Sequence, residues 1–138
     1  MAKLQLYKLV ETATKQGRKA PLRVTTEMVE DIYDAINRAV FSGVLQRPKI
    51  IVRDYKKRDI WGECEGWQKL HRWGPPYTKV IRIQRHFPNL KTLIAVIAHE
   101  MVHQYEWDFY NVMTHGNTTF FAWEEKLRSK GIRLSISI

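Results

Sequence analysis

From Leu93 to Trp107 the chain reads LIAVIAHEMVHQYEW, six apolar residues leading directly into His99, Glu100 and His103. No glycine or proline interrupts it, and Asn89 stands where a helix starting at Leu90 needs a capping oxygen. The spacing predicts one long helix from Leu90 to about Trp107. A helix that is apolar on every side belongs inside a domain, so the remaining elements must wrap it. Its ionisable cluster then becomes the central constraint. Two imidazoles and a carboxylate placed in a core are costly unless something satisfies them, and a metal ion does so.

The pattern is His-Glu-x-x-His. Residues four apart lie one turn up on the same face of a helix. His99 and His103 can therefore reach one ion, with Zn–N near 2.0–2.1 Å. Glu100 is offset by about 100° at the helical period. From there its carboxylate can serve as a base toward a water at the site without ligating the ion. His115-Gly116 follows in a turn after eleven intervening residues, so the chain can return and offer a third imidazole. Three protein ligands plus an open position is the arrangement of a catalytic zinc. Glu106, three residues beyond His103, either orients that ligand or is a solvated helix charge. Tyr105 and Tyr110 are candidates for stabilising an oxyanion only by nearness in sequence, and core packing is the plainer role for both.

The chain has 138 residues and 44% are hydrophobic, enough for one domain with a real core. Cys64 is the only cysteine, which excludes an internal disulfide and a paired-cysteine zinc site. The N-terminal residues lack an apolar run of signal-peptide length, and no stretch reaches membrane-span length. The expectation is a cytoplasmic chain with no membrane partner. Residues 1–24 read as a basic N-terminal arm, with a short helix over Leu4–Thr14 and a break from Gly17 to Pro21. Residues 25–138 read as the domain. Thr25 or Thr26 can cap an amphipathic helix whose apolar residues recur at three and four from Met28 to Val40, with Gly43 as its stop. Lys49–Arg53, Ile60–Gln68 and Tyr77–Gln84 read as three short strands, the second loosened by Gly62 and Gly66. Gly74, Pro75 and Pro76 force a connection between the last two. A helix over Thr118–Ser129 follows, closed by Gly131, and the tail IRLSISI alternates like an edge strand. The order implies an α+β domain: amphipathic helix, short three-stranded sheet, central helix, C-terminal helix.

The net charge of +9 is uneven. From Gly66 to His99 stand Lys69, Arg72, Lys79, Arg82, Arg85 and Lys91 without an acidic residue. From Met1 to Thr25 the only acid is Glu11. Such a field draws polyanions, chiefly nucleic acid. Trp61, Trp67, Trp73 and Tyr77 interleave with these cations, and aromatic faces among cations suit stacking on unpaired bases. Trp61 is assigned to the core. Lys69, Arg72, Trp73, Lys79 and Arg82 are the candidate nucleic-acid contacts, and His71 and His86 are surface or nucleic-acid-contacting residues.

The segments HEMVHQYEW and HGNTTF, with INRAVFSGVLQRPKIIV upstream, resemble the SprT-like zinc metalloprotease family, the family of Spartan-like protease domains. The resemblance spans roughly Thr25 to Arg128. It implies a small zincin-like metalloprotease domain with His99, His103 and His115 on zinc and Glu100 as general base. It also implies, as in several members, cleavage of proteins bound or crosslinked to DNA, single-stranded or duplex. The compact length is similar to stand-alone bacterial and phage members. Thr119 departs from the family, standing where an acidic residue often precedes the phenylalanine. Two other classes stay open: a nucleic-acid-binding module with a structural or vestigial zinc, and a zinc hydrolase of cell-wall peptide. The lack of a signal-like run weighs against the latter. The sequence leaves oligomeric state unassigned.

Overall fold

A computed structural model of the chain describes residues 4–56, 60–67, 77–110 and 118–133. The elements follow the order α1 (Leu6–Gln16), β1 (Leu22–Arg23), α2 (Thr26–Val40), β2 (Lys49–Arg53), β3 (Gly62–Trp67), β4 (Tyr77–Gln84), β5 (His86–Phe87), α3 (Leu90–Tyr110) and α4 (Thr118–Ser129). This is an α+β domain, as the sequence predicts. Among the described residues no helix is long and apolar enough to cross a membrane. The turn at Asn111–Gly116, the Gly74–Pro76 connection and the tail beyond residue 133 lie outside the described residues.

The three predicted strands form one sheet in the order β2-β4-β3, β2 parallel and β3 antiparallel to β4. Central β4 supplies Ile81 and Ile83, both fully buried. Ile50 of β2 and Cys64 of β3 sit level with Ile81, so these side chains share the inner face. A second, two-stranded sheet pairs β1 with β5, Leu22 opposite Phe87. Two residues give no readable periodicity, so these strands escape a sequence reading.

Helix α3 lies between the inner face of the three-stranded sheet and the helices α1, α2 and α4. It is buried on every side, from Leu93 through Gln104 without a gap. It runs one turn further than expected, because Trp107-Asp108-Phe109-Tyr110 contains no breaker. Asn89 caps it as predicted, its Oδ1 accepting from the Thr92 amide at 2.7 Å. Thr25 caps α2 by accepting from the Met28 amide at 3.2 Å, a contact worth about 1 kcal/mol. Helix α2 ends where Gly43, at φ +73, donates back to the Asn37 carbonyl at 2.9 Å. Trp61 packs against the core as expected, its ring 5.1 Å from that of Phe87.

The segment read as a basic arm contains α1, whose Leu6, Leu9 and Ala13 enter the core. Burying one such leucine contributes about 1.5–3 kcal/mol, so α1 is held on the domain by its apolar stripe. Gly131, at φ +86, brings the chain after α4 against α1 so closely that a Cβ there would meet Val10 Cγ1 at 2.9 Å.

Candidate metal centre

Helix α3 sets His99 and His103 one turn apart, and both are buried. Their Nε2 atoms face one another at 3.1 Å, with the rings nearly perpendicular at 78°. Two nitrogens bound to one ion at 2.0–2.1 Å, with a near-tetrahedral angle between them, would stand roughly 3.3 Å apart. The observed pair is within a few tenths of an ångström of that arrangement, so the donor set fits a zinc ion. His103 Nδ1 lies 3.0 Å from Glu106 Oε1, and Glu106 is fully buried. That carboxylate holds the proton of His103 on Nδ1 and leaves the Nε2 lone pair directed at His99. Sequence spacing leaves Glu106 either a ligand-orienting residue or a solvated charge; its burial against the imidazole rules out the solvated charge.

Glu100 projects from α3 toward strand β3 and is only 4% exposed. Loss of water pushes its carboxyl up to about 8, with the Glu63 charge adding to the effect. A dication held by the adjacent histidines would act the other way, favouring the ionised carboxylate. The two glycines that loosen β3 in sequence have a packing reason. A Cβ on Gly62 would lie 2.9 Å from Val96 Cγ1 and 3.2 Å from Glu100 Oε2. A Cβ on Gly66 would lie 2.4 Å from the Trp107 indole. Bare backbone at these positions lets β3 approach the face of α3 that carries Glu100. Between them Cys64 is half-buried, and desolvation followed by the Glu100 charge raises its thiol well above the ordinary value.

A polar network unmarked in the sequence steadies the helix beside the histidines. Tyr33 of α2 donates to Gln104 Oε1 at 2.7 Å. Gln104 Nε2 donates to the Gln46 carbonyl at 2.8 Å and to Asp108 Oδ2 at 3.2 Å. Thr78 of β4 donates to Asp108 Oδ1 at 2.8 Å. Gln104 thereby ties α3 to α2, and Asp108 ties it to the sheet, both just beyond His103 along the helix. Of the two tyrosines weighed for oxyanion stabilisation, Tyr105 belongs to an aromatic group with Phe41, Phe109 and Trp123. Tyr110 is 56% exposed.

His115 lies outside the described residues, as do Lys69, His71, Arg72 and Trp73. Among the described residues no cluster of three His, Cys, Asp or Glu side chains forms a metal cage. Lys79 and Arg82 are described, and both reach Glu65, at 3.5 and 2.9 Å. Arg82 holds the Glu65 carboxyl below its usual range. The stretch from Gly66 onward is acid-free in sequence, but antiparallel pairing sets Glu65 opposite Val80 and supplies the missing anion. Arg85 is likewise paired with Asp54 at 3.2 Å, and exposed His86 lies 3.6 Å from the same carboxylate.

A model of the SprT-like family matches residues 29–138, which takes in most of α2, the three-stranded sheet, α3 and α4. The chain belongs to the SprT-like family. Neither the curated proteins nor the solved structures contain a significant match to it. SprT-like proteins are associated with metallopeptidase activity and with zinc, and the paired imidazoles of α3 have the chemistry such a site requires.

Proposed function

We propose that this SprT-like chain is a zinc-dependent endopeptidase with a zincin-like site, acting on proteins associated with or crosslinked to DNA. The observation that carries the reading is the buried His99–His103 pair, with Glu106 behind the His103 imidazole and Glu100 buried on the same helix. His99, His103 and His115 would hold the zinc. When bound, zinc supplies a Lewis acid that polarises the scissile carbonyl and brings the pKa of a ligated water to near 7.

The protein's own groups do the rest. Glu100 accepts the proton of the attacking water and delivers it to the departing amine, as a general base and then a general acid. Its burial keeps bulk water from competing for that proton. Glu106 keeps His103 in the tautomer that presents Nε2. The close contact of β3 with α3 at Gly62 fixes the carboxylate against the helix face that carries it. The nucleic-acid part of the reading is supported by the +9 charge. The competing reading, a nucleic-acid-binding module with a structural zinc, gives no role to a carboxylate buried at Glu100.

The test is Glu100→Gln. It retains the shape and cannot accept the proton. Zinc content should be unchanged and cleavage of a DNA-bound protein should fall by about 10²–10⁴-fold. A variant that cleaves at the wild-type rate would remove Glu100 as the base.

A further inference from the structure

The pairing of Lys79 and Arg82 with Glu65 raises the question of where the positive charge is left open. Two adjoining clefts share Ala13, Thr14 and Lys91 in their walls. One, of about 190 Å³, is lined by Ala13, Thr14, Gly17, Arg18, Asn89 and Lys91. The other continues past Lys91 and Ile94 to Arg133. Together they form a groove between α1, the start of α3 and the chain after α4. Arg18, Lys91 and Arg133 come from three separate segments and converge on it. All three are exposed, and no acidic residue lines either cleft. Among the described residues none of the three takes part in an ion pair, whereas Lys15, Arg47, Lys79, Arg82, Arg85 and Arg128 all do.

We propose that this groove is a docking surface for the phosphate backbone of nucleic acid. The proposal deepens the nucleic-acid part of the function above and rests on it. Three cations without carboxylate partners around a concave surface attract a chain of phosphates, and each contact releases condensed counterions. Ala13 and Thr14, in the wall that both clefts share with Lys91, are small and leave room for a backbone to enter, while Val10, Ile94 and Ile132 line the second cleft. Position along α3 links the groove to cleavage. Lys91 precedes His99 and His103 by eight and twelve residues, so the groove lies roughly 12–18 Å along the helix axis from the histidine pair. A protein carried on the docked strand is thereby presented within a nanometre or two of the peptidase site.

The experiment compares two triple variants of the full chain, each with three positive charges removed. R18A/K91A/R133A empties the groove of charge. K49A/K56A/K126A removes exposed lysines elsewhere. Labelled single- and double-stranded DNA oligonucleotides are titrated at several salt concentrations, with vesicles containing anionic phospholipid as a second probe. The groove variant should shallow the log–log salt slope by about two to three units, since each phosphate contributes about 0.9 on duplex and 0.7 on single strands. The control variant should shift it far less. Cleavage of a free unstructured peptide should be the same in all three proteins, and cleavage of a DNA-bound protein should fall only in the groove variant. Equal slopes in the two variants, no DNA binding by the wild type at low salt, or loss of vesicle binding with DNA binding intact would each overturn the groove assignment. Free-peptide cleavage by the wild type reads the peptidase separately, so failure of the groove and failure of the enzyme are distinguishable.

Discussion

Glu106 shows how a single residue changes meaning between sequence and structure. A glutamate three residues after a histidine is ordinary on a solvated helix, so its spacing alone leaves it either orienting that histidine or a solvated charge. Full burial at 3.0 Å from His103 Nδ1 makes it the partner that sets the imidazole's tautomer. Glu106→Gln should therefore lower zinc affinity by about 10–100-fold while the chain stays folded, read by competition with a chromophoric chelator. Unchanged affinity would return Glu106 to a purely structural role. Cys64 gives an independent check on the same region. Its raised thiol should make iodoacetamide labelling at mildly alkaline pH much slower in the native protein than in the unfolded chain. Equal rates would mean that β3 does not seal against α3.

The elements were largely legible. Lys49–Arg53, Tyr77–Gln84 and Thr118–Ser129 have the bounds that β-branched runs, alternation and flanking breakers imply. Signals of this kind are local, and they fail where the cause is tertiary. The two glycines of β3 look like weak points in a strand, yet they are the positions where α3 comes too near for a Cβ. Gly66→Ala should destabilise the domain by about 1–3 kcal/mol, because the Trp107 ring must move to accept the new methyl. Chemical denaturation would measure it. A neutral outcome would show that the ring yields without cost. The two-residue strands β1 and β5 are the opposite case, formed where the connection from α1 to α2 lies against the chain between β4 and α3.

For the whole molecule, what the sequence conveys is the fold class and the two histidines on one helix; what it hides is how charges meet. Lys79 and Arg82 stand in an acid-free stretch and still face Glu65 across the β3–β4 pair. Arg18, Lys91 and Arg133 are scattered over the chain and meet at one groove. Helix α3 joins the two readings, with the groove at its start and the paired imidazoles near its middle. The most direct test of the account is the zinc content of the purified wild-type chain, set beside that of His103→Ala and His115→Ala. One zinc per chain in the wild type, falling sharply in both variants, is the predicted result. A wild-type chain that takes up no zinc, or a His115→Ala variant that binds it as tightly as the wild type, would contradict the three-histidine site.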